Sequence, residues 1–184
     1  MSLAHSTRNV RLVRSCTGPR TVLRQDGGVS IGVYAGSFDP LHYGHVGVIE
    51  DASRLLERLY VVVAGNPAKG CGLLSMDERR RLVAASVGHL SNVAAASHAG
   101  LIIDFAATVG AEVLIRASGR ERDREWVMAQ TNAELSGVKT VFVSPRSTTR
   151  GISSRWIRET LHSSGPDSVV EFVPVPVAAA LAAL

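Results

Sequence analysis

The sequence predicts an α/β three-layer domain built on a five-stranded, mainly parallel sheet. Two observations carry that reading. Short apolar, β-rich runs alternate with helical patterns from Val29 onward, as in a sheet covered by helices on both faces. One run, Leu59-Tyr60-Val61-Val62-Val63-Ala64, is apolar throughout, as in a strand buried on both faces. A chain of 184 residues with 46% apolar residues can enclose one core.

The elements follow in order. Ser30–Ala35 reads as the first strand, and residues 45–57 as an amphipathic helix. Leu59–Ala64 is the second strand. Ser75-Met76-Asp77-Glu78 has the form of a capping box, with Ser75 as N-cap and Glu78 three residues on. The helix it opens runs to about Gly88. Val93–Ala96 is a weak strand, Leu101–Val109 a helix, and Glu112–Ile115 a strand. Residues 121–135 read as helix, Thr140–Val143 as strand and Ser153–His162 as helix. The Ser/Gly/Pro cluster at 163–166 precedes a small C-terminal helix. Right-handed crossovers put a ligand at the C-terminal ends of the strands.

Composition narrows the function. The net charge is +4, but Arg8, Arg11, Arg14, Arg20 and Arg24 face only Asp26 within residues 1–28. Residues 29–184 are therefore neutral overall, and a basic nucleic-acid face is not supported. Residues 1–28 are expected to be a disordered basic leader or an added extension, with 29–184 the single domain. Arg-rich and almost acid-free, the leader also has the composition of a transit peptide. No apolar run is long enough to span a bilayer, so no membrane partner is expected. Cys16 and Cys71 are too few for a disulfide framework or a Cys-based zinc site. A reducing, cytoplasmic setting follows.

Two motif matches fail on context. Gly28-Val29-Ser30-Ile31-Gly32 fits a nucleophile pattern, yet its serine enters a strand instead of leaving one. Gly65–Gly70 begins like a phosphate loop, but Cys71 stands where the lysine is needed.

Four constellations have chemistry. The first is Gly36-Ser37-Phe38-Asp39-Pro40-Leu41-His42-Tyr43-Gly44-His45, between the first strand and the first helix. A helix N-terminus and two imidazoles converge there, a place to hold a polyphosphate. Gly36 lets backbone approach a ligand, and Ser37 offers a hydroxyl. A metal site is disfavoured for want of a third nearby ligand. The second is Lys69, after the second strand and one of only two lysines, a point charge for a phosphate. The third is Arg116, at the end of the fourth strand, suited to bidentate phosphate binding. The charged run 119–125 beyond it reads mainly as a solvated helix face. The fourth is Ile152-Ser153-Ser154, where a loop becomes a helix. The serines read as N-caps and as a phosphate seat.

These motifs, with Asn66-Pro67-x-Lys69, Ser75-x-x-Glu78-Arg79, His89-Leu90-x-Asn92-Val93 and Gly100-Leu101 before Asp104-Phe105-Ala106, resemble the phosphopantetheine adenylyltransferases. These are members of the His-x-Gly-His nucleotidyltransferase superfamily with a Rossmann-like domain. The resemblance covers about residues 31–184. It implies transfer of AMP from Mg-ATP to 4′-phosphopantetheine, giving dephospho-coenzyme A and pyrophosphate, in a homohexamer. It implies that Gly36, Ser37, Phe38 and His45 surround the triphosphate and that Ile152, Ser153 and Ser154 close over the nucleotide. Glu125 matches the acid near the nucleotide. Lys69 and Arg116, with Ser37, would hold the acceptor phosphate, and Leu101 and Ile102 would line the pantetheine arm. His45, His42, Lys69 and Arg116 are the catalytic candidates. Mg²⁺ is expected to come with the triphosphate, and no protein metal site is expected.

The chain also departs from that family. His42 replaces the usual threonine, and the full His-x-Gly-His is commoner in nicotinate-mononucleotide adenylyltransferases and cytidylyltransferases. The family's Arg-Gly-Leu-Arg reads Arg116-Ala117-Ser118-Gly119-Arg120 here, so Arg120, Arg122 and Arg124 compete as partners of Arg116. Thr149 replaces a tryptophan, and Arg146-x-Thr148-x-x-Gly151-Ile152-Ser153 has a cytidylyltransferase-like form. Another acceptor or base, or a non-catalytic nucleotide- or coenzyme-A-binding regulator, are the alternatives.

Overall fold

A computed structural model describes residues 31–65, 72–118, 122–149 and 151–184, with only the backbone of Arg122 and Arg124. Lys69, Arg120, both cysteines and residues 1–28, expected from the sequence to form a leader or extension, lie outside the described residues, as does Ser30. Among the described residues there are five strands: β1 (Ile31–Gly36), β2 (Arg58–Gly65), β3 (Val93–Ala99), β4 (Val113–Ala117) and β5 (Lys139–Val143). The helices are α1 (Tyr43–Ser53), α2 (Met76–Val87), α3 (Ile102–Thr108), α4 (Arg122–Ser136), α5 (Ser154–Ser164) and α6 (Val175–Ala182). Short 3₁₀ stretches occupy Ser147–Thr149 and Pro166–Phe172. Among the described residues, no helix is long and apolar enough to cross a membrane.

All four strand pairings are parallel, and the order is β3-β2-β1-β4-β5. The chain winds outward from β1 to β3, then crosses back to place β4 on the other side of β1. That reversal opens a crevice at the C-terminal ends of β1 and β4. The loop 37–42 leaves β1 at this point.

Successive residues of β1 feed opposite layers. Tyr34 joins Val61, Val63, Ile49, Val83, Ile157 and Val177 in the larger core, with Ile115 from β4. Val33 and Ala35 join Val62, Leu114 and Ala106 in the smaller core under α3. β2 is sealed by both layers, with Leu59, Val61, Val62 and Val63 all at 0% exposure.

Several element boundaries differ from those the sequence predicts. The first helix spans 43–53, not 45–57, because it is capped by His42 and ends before Leu55 and Leu56. β3 continues to Ala99, three residues past the expected end. Its Ala-Ala-Ala-Ser-His run has little intrinsic strand preference, but seven registered positions against β2 hold it. β4 starts one residue later than expected and continues to Ala117, so Arg116 is a strand residue opposite Phe142 of β5.

Candidate active site where beta1 and beta4 diverge

The loop after β1 is organised by Phe38. Its φ of +45° is rare for a bulky side chain and persists only where surroundings enforce it. Here the ring is 1% exposed. It meets Tyr34 edge-on at 5.5 Å and His45 edge-on at 5.0 Å between ring centres.

His42 is the N-cap of α1, with extended backbone. Its ring is 5% exposed and stacks on His45, ring centres 3.7 Å apart and planes 26° from parallel. Gly44 makes room for this pair. A Cβ at that position would lie 2.9 Å from His42 Nδ1 and Cε1. The His42 backbone N–H donates to His45 Nδ1 at 3.4 Å. The proton of a neutral His45 therefore sits on Nε2, making that atom a donor. Burial pushes His42 down to about 4. Burial, then the neighbouring His42, holds His45 well below the usual imidazole range. Both rings are neutral at pH 7.

The loop is tied down from three directions. The Asp39 carboxylate, 6% exposed, accepts the N–H groups of Leu73 at 2.9 Å and Leu74 at 3.0 Å. Arg79 Nη1 on α2 donates to the Ser37 carbonyl at 2.9 Å. From α5, Ser154 Oγ donates to the Pro40 carbonyl at 2.9 Å, and Arg158 Nη1 donates to the Asp39 carbonyl. Ser153 caps α5, its hydroxyl accepting the Trp156 N–H at 3.2 Å.

Arg116 and Glu125 both act electrostatically on the buried Tyr34. The Tyr34 hydroxyl is raised above its usual range by burial first, then by Glu125, against the lowering effect of Arg116. Gly36, Phe38, His42 and His45 thus form one contiguous group, joined to Ser154 through Pro40, while Arg116 and Glu125 share the Tyr34 environment. Ser37 is exposed beside them. Leu101 and Ile102 stand at the start of α3, beyond the end of β3, with Leu101 62% exposed. No described contact joins them to the loop.

A groove of about 610 Å³ runs along α1 beside this group, lined by Tyr43, Gly47, Arg146, Thr149, Ile152 and Trp156. Arg146 forms one edge, bridging Glu50 at 2.8 Å and Asp51 at 2.8 Å. Its hydrogen bond is the main reason the Asp51 carboxyl is lowered. The clamp ties the segment after β5 to α1.

Sequence reasoning assigned no role to Tyr34, Asp39, Arg79 or Arg158. Asp39, Arg79 and Arg158 each sat inside a quoted motif, but none carries a local signal of a partner 34 to 119 residues away.

A parallel α/β sheet whose first loop carries a stacked histidine pair at a helix start defines a nucleotidyltransferase. Residues 33–160 match the cytidylyltransferase-like family. Within it, the chain belongs to the phosphopantetheine adenylyltransferases. It is 43% identical over 152 residues to the phosphopantetheine adenylyltransferase of Actinobacillus pleuropneumoniae serotype 3 (strain JL03), a match covering 81% of this chain and 94% of the relative. Against that of Micrococcus luteus it is 40% identical, over 79% of this chain and 92% of the relative. A Vibrio parahaemolyticus protein, provisionally described as a nicotinate-nucleotide adenylyltransferase, superposes with a TM-score of 0.57 at 18% identity. The superposition covers 84% of this chain and 99% of that one, a likeness of fold.

Proposed function

We propose that this chain transfers AMP from ATP to 4′-phosphopantetheine, yielding dephospho-coenzyme A and pyrophosphate. The observation that carries the reading is the His42–His45 pair, held neutral at the N-terminus of α1 with the His45 proton assigned to Nε2. A neutral donor there can follow charge as it builds on the α-phosphate, without carrying a charge of its own into the ground state.

An oxygen of the acceptor phosphate attacks the α-phosphorus. A new P–O bond forms as the bond to the β-phosphate oxygen breaks, and pyrophosphate leaves with the electron pair. The nucleophile is anionic at neutral pH, so no strong base is required. The protein aligns two anions and offsets their repulsion. Gly36, Ser37 and Phe38 bracket the triphosphate with His42 and His45. Ile152, Ser153 and Ser154 close over the nucleotide, with Glu125 nearby. Lys69 and Arg116 hold the acceptor phosphate with Ser37, and Leu101 and Ile102 line the pantetheine arm. The groove along α1 accommodates the base. Mg²⁺ enters as the partner of the ATP phosphates.

Apolar side chains left exposed on α4 and β5, among them Trp126, Val127, Met128 and Val141, support assembly into a homo-oligomer, a hexamer by family resemblance. A cytoplasmic setting accords with ATP and phosphopantetheine as substrates.

The test is pyrophosphate release with ATP or CTP against 4′-phosphopantetheine, nicotinate mononucleotide and glycerol-3-phosphate. Turnover of ATP with 4′-phosphopantetheine is expected. His42 and the Arg146-x-Thr148 motif favour the CTP arm as the second reading. Turnover only in that arm, or with another acceptor, sinks the first reading. Binding without turnover in any arm identifies a regulator.

A further inference from the structure

Three carbonyls of the loop after β1 are held by side chains from flanking helices, and the three are not equivalent. Arg158 holds Asp39, but the peptide it fixes ends in Pro40, which has no N–H to offer. Ser154 holds Pro40, and the peptide it fixes leads into Leu41, 1% exposed. Arg79 holds Ser37, the exposed residue of the loop, and the peptide it fixes leads into Phe38.

A peptide is planar, and its C=O and following N–H point in opposite directions. Drawing the Ser37 carbonyl toward α2 therefore aims the Phe38 N–H away from α2. The Phe38 φ of +45° sets this orientation against the residue's own preference. Two restraints oppose relaxation. The Phe38 ring is wedged between Tyr34 and His45, and Arg79 grips the carbonyl. Arg79 is itself fixed, because its Nε donates to the Ser75 carbonyl at 3.4 Å while Nη1 donates to Ser37. A cation on the carbonyl also polarises the peptide and strengthens the N–H at its other end.

We propose that Arg79 is a positioning residue of the transfer reaction: it holds the Ser37–Phe38 peptide so that the Phe38 N–H is presented to the phosphates at the start of α1. This rests on the nucleotidyl-transfer reading above. Its distinct content is that a side chain of α2 acts on the phosphates through a backbone amide.

Arg79→Met and Arg79→Lys in the full chain test it with two readouts. Steady-state pyrophosphate release gives kcat and both KM values. The Phe38 amide ¹H–¹⁵N resonance is titrated with ATP and, separately, with inorganic pyrophosphate. Arg79→Met is expected to lower kcat about 10- to 100-fold, the scale of a misaligned reacting group, and to shrink the ligand-induced shift of Phe38. Both KM values should change less than about threefold, within ordinary context effects on binding. Arg79→Lys should recover part of both losses, since an ammonium can still reach Ser37. Unchanged kcat and an unchanged Phe38 shift overturn the proposal. So does a raised acceptor KM with kcat preserved, which would make Arg79 a substrate contact. If Arg79→Met fails to fold by circular dichroism, the lysine variant decides. If the wild type does not turn over, the functional reading fails, and the pyrophosphate titration still judges Arg79.

Discussion

The imidazole of His42 stacks on that of His45 with 3.7 Å between ring centres, and the backbone N–H of the first donates to Nδ1 of the second. The pair cannot hold this geometry with both rings charged. Two imidazolium rings at that spacing, out of water, would repel.

That relationship predicts an acid-sensitive fold. His42 titrates near 4 in the folded protein and near 6.5 when unfolded. Its folded value is depressed, so the unfolded chain binds the proton first as pH falls. The contribution of neutral His42 is complete above about pH 6.5 and is withdrawn between about 6.5 and 4. The loss reaches about 3 kcal/mol at most, and His45, shifted the same way, adds to it. Melting temperature should therefore fall steeply from pH 7 to pH 4.5. His42→Thr should flatten that profile. A variant with the wild-type slope would show that the slope arises elsewhere.

His45→Ala should reduce kcat by ~10²–10³-fold, the scale of a lost transition-state donor, and leave the KM for ATP nearly unchanged. His45→Gln retains an N–H donor and should be the milder variant. Steady-state kinetics of pyrophosphate release provide the measurement. A raised KM at full kcat would assign His45 to ground-state binding.

The Asp39 carboxylate accepts two backbone N–H groups in a nearly buried position. Asn at this site has one acceptor oxygen and one amide, so one of the two N–H groups loses its partner. Asp39→Asn should destabilise the fold by about 1–3 kcal/mol, the cost of a buried polar group left unpaired. Urea unfolding would measure it, and an unchanged midpoint would mean that water or a shifted backbone replaces the bond.

The legible parts of this molecule were the local ones. β2 announced itself as an unbroken apolar run, and α2 by Ser75, whose hydroxyl accepts the Glu78 N–H as the capping box requires. The first helix begins two residues before the sequence predicts. His42 is an unusual cap, and Tyr43-Gly44 is a poor helical start. The histidine pair could be placed at that helix, but not its stacking, which depends on loop geometry and on the space left at Gly44. The bonds of Asp39, Arg79 and Arg158 were illegible for a different reason. Each joins residues far apart in sequence through one side chain and one backbone group, and that leaves neither periodicity nor spacing to detect.

Arg146 bridges Glu50 and Asp51 at the edge of the groove that would take the base. All three side chains are partly solvated, so their mutual attraction is screened and contributes about 1 kcal/mol or less to stability. Its larger effect is geometric, since it fastens the segment carrying Thr149 and Ile152 to α1. Arg146→Ala should therefore leave the melting temperature within a few degrees, a shift of about that size following from 1 kcal/mol in a domain of this length. It should raise the nucleotide KM about 3- to 10-fold, equivalent to roughly 0.7–1.4 kcal/mol, and leave the acceptor KM alone. It should also change the ratio of ATP to CTP turnover, because the wall it removes lines the groove proposed to take the base. Parallel kinetics with both nucleotides would decide the matter. Equal losses with ATP and CTP would show that the clamp holds the segment without sensing the base, and no loss with either would place the base outside the groove.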